Sequence, residues 1–247
     1  MDNPYLRPGD SNLIWDDDVT PEGIAVQFAS ETSGVDIGVR GGHFWIDELS
    51  SSQYDVTLTG LQGYISLLSS AADLSIGVSA YDYRNIVETK SLTGDDEFQG
   101  NIVYQLNDGE DSTQVFANDF TLINGFAQVA FKAMPITLFS DYVINVDGPD
   151  DDNLGWLVGA TIGDGNSDMP IIFTYTYRNL DRDAVVGAFS FADFGGGTTN
   201  AQGHTIDLEL AVNSSTNLFA AYQSSTIDPN GVEETYEQAQ GGLTVVF

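Results

Sequence analysis

The sequence predicts an all-β protein, an antiparallel up-and-down transmembrane β-barrel, and three observations carry that prediction. Apolar residues recur at every second position through many short segments. Short and long connections alternate between the segments, and aromatic residues gather near segment ends. No window holds eighteen apolar residues in a row, which argues against a transmembrane helix. Barrel strands stay open to the chain, because their signal is only an alternation over about ten residues.

The alternation is plainest in HTIDLELAV, where Ile206, Leu208, Leu210 and Val212 share one face and Thr205, Asp207, Glu209 and Ala211 the other. In PIIFTYTYR, Ile171, Phe173, Tyr175 and Tyr177 oppose Ile172, Thr174, Thr176 and Arg178. Trp156, Val158, Ala160 and Ile162 alternate with Leu157, Gly159 and Thr161, and Ile136, Leu138, Tyr142 and Ile144 with Thr137, Asp141 and Asn145. Eleven segments read this way: 23–31, 35–47, 53–68, 72–86, 118–132, 136–147, 154–163, 169–181, 204–213, 216–226 and 235–247. They form a single domain over residues 1–247. A further strand, hidden within Tyr5 to Trp15 or missing, would bring the visible count to twelve, since closed single-chain barrels hold an even number.

Connection lengths give the strand directions. Glu31–Gly34, Ser69–Ala71, Ala133–Pro135, GDGNSDM and Ser214–Ser215 are short. DELSSSQ, 87–117, DGPDDDN, 182–203 and IDPNGVEE are mostly longer and more acidic. Outer-membrane barrels keep short turns on the periplasmic side. Trp45 and Trp156 then fall toward the outer interface, and Phe28, Phe131 and Phe247 toward the periplasmic one, as two aromatic girdles, with Tyr177 a further interfacial aromatic. The closing GGLTVVF is the last strand, with Leu243, Val245 and Phe247 on its lipid face and Thr244 and Gln240 on the other.

On these phases Arg40, Lys132, Asp141, Arg178, Asp207 and Glu209 point inward, as candidate pore-lining charges. The bland alternative is that each basic residue braces the wall against a neighbouring carboxylate. The loop 87–117 either folds inward as a constriction or, the favoured reading, caps the outside. Composition excludes other classes. Asp+Glu 37 against Lys+Arg 7 gives a net charge of -30, which repels nucleic acid. With no cysteine there is no disulfide, thiolate catalysis or Cys metal site. His43 and His204 are the only histidines, and neither G-x-S-x-G nor H-E-x-x-H occurs, so no enzyme is expected. The acidic runs Asp16–Asp18, Asp150–Asp152 and DGNSD are read as solvated outer surface. Weak calcium binding there is the only cofactor considered, and no dedicated metal site is expected.

Two stretches carry a family resemblance: NLIWDDDVTPEGIAVQF (12–28) and FTYTYRNLDRDAVVGAFSFADFGGGTTNAQGHTIDLELA (173–211). The second is the more specific, joining an aromatic strand through Asp183, Ala184 and Val185 to a glycine-rich loop and a strand entered at Gly203 and His204. Together with terminal Phe247 they resemble the putative porin family of bacterial outer membranes. The resemblance implies a water-filled channel passing small solutes or ions passively across the outer membrane, with lipid around it. It implies a C-terminal signal at Leu243, Val245 and Phe247 read by the barrel assembly machinery, and a homotrimer. MDNPYLRPGD shows no signal peptide, so the chain is expected to be the C-terminal portion of a larger barrel of about 16 strands. The competing reading is a secreted, calcium-stabilised β-sandwich that binds carbohydrate or acts as an adhesin.

Overall fold

A computed structural model describes residues 2–48, 54–93, 97–108, 111–164, 170–228 and 232–245. Thirteen strands occur among them. Eleven form one sheet: β1 (Glu22–Thr32), β2 (Val35–Asp47), β3 (Val56–Leu68), β4 (Ala72–Arg84), β7 (Thr121–Phe131), β8 (Ile136–Asn145), β9 (Leu154–Ile162), β10 (Ile171–Leu180), β11 (Ala201–Asn213), β12 (Thr216–Ile227) and β13 (Glu234–Val245). Each pairs antiparallel with its neighbour in that order, so the sheet is a simple meander, and β1 does not pair with β13. The other two, β5 (Val103–Asp108) and β6 (Asp111–Phe116), form a separate hairpin inside the long β4–β7 connection. Lengths of 9–13 residues suit tilted strands crossing a bilayer, which need about 9–11.

Local chemistry fixes the short turns. Ser33 and Gly34 both take positive φ (46° and 85°), the two-residue hairpin geometry whose twist matches the flanking strands. The β3–β4 turn is tied by Ser69 Oγ, which donates to the Ala72 carbonyl (2.6 Å) and accepts from the Ala71 and Ala72 amides.

Register separates the residues into two faces. On one, Ile24, Val26, Phe28, Val39, Leu61, Val78, Ile123, Leu138, Val158, Ile206, Leu208 and Leu243 stay exposed; Val26, Phe28 and Val78 are 70%, 68% and 66% exposed. No second sheet covers this face, since the β5–β6 hairpin pairs only with itself. The opposite face, called inner here, carries the buried residues. Phe44, Leu58, Tyr81, Tyr83, Leu122, Val143, Leu157 and Leu180 pack at its long-loop end against Ile86, Phe98, Phe116, Phe120 and Val185 from the loops.

The stretch from Tyr5 to Trp15 is not a strand. Pro8–Asp10 makes a 3-10 turn, with Gly9 and Asp10 both at φ 54°. Leu13, Ile14 and Trp15 are consecutive and all buried, so the run has no period of two to offer a pleated ladder. The loop 87–117 differs from the sequence reading too, since it contains β5 and β6. Residues at its base, Phe98 and Phe116, enter the inner core, while Tyr104 and Leu106 on the hairpin stay exposed.

Candidate pore interior

The segment before β1 crosses the inner face as a strap over the strands, and inward side chains of successive strands hold it. Arg40 of β2 donates through Nη1 to the Pro4 carbonyl (2.7 Å). Gln62 of β3 accepts from the Leu6 amide (2.7 Å) and donates to the Leu6 carbonyl (3.0 Å). Tyr81 of β4 meets the Tyr5 ring edge-on at 4.9 Å. Gln128 of β7 accepts from the Gly9 amide (2.7 Å), and Asp141 of β8 accepts from Ser11 Oγ (3.0 Å). Arg40 and Gln62 are register partners, as are Gln62 and Ser79, which also hydrogen-bond (3.1 Å). The wall therefore presents one polar row to the strap. Burial of Tyr5 raises its phenol pKa well above the ordinary value.

Beyond Ser11 the strap meets the loop after β10. The Asp16 amide donates to the Phe189 carbonyl (2.7 Å), Ser190 Oγ to the Leu13 carbonyl (3.0 Å), and the Ala192 amide to Asp16 Oδ2 (2.8 Å). That loop is knotted to the β4–β7 connection by Asp183, which is fully buried and accepts from the Ile102 amide (2.8 Å), Asn101 Nδ2 (3.2 Å) and Asn118 Nδ2 (2.7 Å). Asn101 Nδ2 also donates to the Arg182 and Val185 carbonyls, and its Oδ1 accepts from the Gly187 amide. Burial raises the Asp183 carboxyl above its ordinary range despite these donors.

Between strap, loop and wall lies a cavity of about 900 Å³ along the inner face of β7 to β11. Asp10, Asp16, Asp17 and Asp18 of the strap, Asp193 of the loop, and Asp207 and Glu209 of β11 line it, against two basic residues, Arg7 and Arg178. Thr137, Thr161, Thr174, Thr176, Thr205 and Gln128 supply neutral polar groups. The hydrogen bond with Asp16 raises the Asp17 carboxyl above its ordinary value, with burial and the Asp16 charge adding to it.

The inward candidates thus divide by use. Arg40 and Asp141 are engaged by the strap. Arg178 is 5% exposed, with its guanidinium stacked over Phe191 (5.2 Å) and Phe194 (4.9 Å). Asp207 and Glu209 face the cavity. Lys132 sits in the turn after β7 and pairs with Asp73 (2.9 Å), so it braces the rim and does not reach the cavity. Asp16–Asp18, expected from their composition on the solvated outer surface, line this cavity instead. The strap draws them in, and no alternation marks a strap. Gln62, Gln128 and Asp183 were missed for the same reason, since their roles depend on loops folding inward.

On the apolar face, Trp45 ends β2 beside His43, and the Trp156, Tyr177, His204 and Tyr175 rings run side by side, with Tyr175 Oη 2.7 Å from His204 Nδ1. Phe28 and Phe131 lie toward the short turns. Leu243 and Val245 are exposed on the apolar side of β13; Phe247 lies outside the described residues. No group of three or more His, Asp or Glu side chains is placed to hold a metal ion among the described residues, and most of DGNSD lies outside them.

Residues 96–230, more than half of the chain, match the family described as putative porin. The chain belongs to this family. The match takes in the Asp183 knot, the ADFGGG loop and β7 to β12, but not the strap. No curated protein matches the chain, and no solved structure does. Membership in a porin family places the chain in a membrane.

Proposed function

We infer that this porin-family chain builds the wall of a water-filled outer-membrane channel, through which small hydrophilic solutes and ions pass by passive diffusion without catalysis. The supporting observation is the contrast between the two faces of one sheet. The outer face is apolar and uncovered, while the inner face, apart from the apolar core at its long-loop end, is polar and borders an acidic cavity. Bilayer hydrocarbon tolerates no open sheet edge, so in the membrane β1 and β13 are paired, with each other or with further strands. Reconstituted full-length protein should render liposomes permeable to small sugars and not to large ones. Uptake no faster than in protein-free liposomes would contradict the channel reading.

The cavity charges make the passage prefer cations. That preference should weaken on acidification, and the Asp17 site should be among the first to lose its charge, because its pKa stands above the ordinary carboxylate value. Reversal potentials in a salt gradient, recorded at falling pH, test this. Asp17→Asn should flatten the upper part of the response, and an unchanged curve would remove Asp17 from the passage.

A further inference from the structure

We propose that the strap, residues 4–18, is the constriction that bounds the permeation route in this channel. The proposal rests on the porin reading above. The strap touches five consecutive sheet strands, β2, β3, β4, β7 and β8, a span of four strand spacings or about 19 Å. Ser11 lies seven positions after Pro4, a reach of about 23–25 Å if extended, so the segment bridges that span even with the 3-10 turn at Pro8–Asp10. It closes off this part of the interior in two ways. Tyr5, Leu13 and Trp15 are embedded in the apolar core at the long-loop end, and the Leu6 amide and carbonyl and the Gly9 amide are matched by side chains from the wall.

The wall has made room for it. A Cβ at Gly60 of β3 would lie 2.1 Å from Tyr5 Oη, so this inward position accepts the Tyr5 ring only as glycine. On the strap's own side, Gly9 at φ 54° has the Phe139 ring of β8 2.3 Å from where its Cβ would stand. The opposite flank of the strap is turned to the cavity, where Asp17 and Asp18 are exposed. Wall charges that would face solute in an unfilled lumen, Arg40 and Asp141, are engaged by the strap. Solute therefore passes along β8 to β11, between the strap's acidic flank and Asp207 and Glu209. The long β4–β7 connection does not fill this role, because its inward residues, Phe98 and Phe116, pack in the core at the long-loop end and line no part of the cavity.

The test uses full-length protein without cysteines, recorded as single channels in planar bilayers. Asp18→Cys treated with a trimethylammonium methanethiosulfonate should lose a clear step of conductance, as should Asp207→Cys across the route. Gln62→Ala, which removes both bonds to Leu6, and Gly60→Leu, which displaces Tyr5, should each raise conductance about twofold and admit larger solutes. If the cysteine at 207 responds while the one at 18 does not, and the two release variants conduct like the parent, the strap is only internal packing and the proposal falls. A parent that opens no channel would instead remove the porin reading beneath it.

Discussion

Leu208→Arg should abolish or sharply reduce membrane insertion of the folded protein. Leu208 lies near the middle of β11, exposed on the apolar face, and an arginine at the bilayer midplane of a barrel costs roughly 2–4 kcal/mol. Its neighbour Asp207 points the other way, into the cavity. Asp207→Asn should therefore insert like the parent and reduce cation preference. The fraction that runs as the compact, heat-modifiable form in electrophoresis measures insertion, and reversal potential measures preference. Equal loss of insertion in the two variants would overturn the assignment of faces, because adjacent residues in a strand are alike only when neither face meets lipid.

Asp183→Ala should unfasten the loops at the long-loop end while leaving the sheet intact. The substitution strands the Ile102 amide and Asn118 Nδ2 without an acceptor inside packed structure, and each orphaned buried donor costs about 1–3 kcal/mol. The strands keep their own ladders, so the damage is a local opening of the connection between β4 and β7. Limited trypsin digestion in detergent should then cut after the exposed Lys90 faster than in the parent, with heat-modifiability kept. Asp183→Asn, which retains one acceptor oxygen, should be cut more slowly. Resistance of Asp183→Ala equal to the parent would show that the buried carboxylate does not hold the loops.

The strands were legible in the sequence because a half-apolar strand writes its orientation at every second residue, as Ile206 to Val212 does against Thr205 to Ala211. All eleven sheet strands follow segments read that way. Turn parity was legible too, since connections such as Glu31–Gly34 and Ser214–Ser215 are too short for anything but a hairpin and alternate with long acidic ones. The interior was not. Arg40 and Asp141 carry the right phase for a lumen, yet phase says only which face a side chain takes and not what comes to meet it. The strap has no period, and its contacts join residues as far apart as Gly9 and Gln128. Asp16–Asp18 reads as surface because a charge run usually is solvated; here the backbone of the preceding residues carries it inside. The β5–β6 hairpin was missed because six-residue strands rich in Asn, Asp, Gln and Ser resemble loop composition.

The central claim is that the polar face of this sheet borders a water-filled path across a membrane. Planar-bilayer recording of the full-length protein tests it most directly. The account predicts discrete, long-lived conductance steps, with a reversal potential in a potassium chloride gradient displaced toward the cation and moved toward the anion by Asp207→Asn. Protein that inserts in folded form and yet shows no steps above the bare bilayer would contradict it.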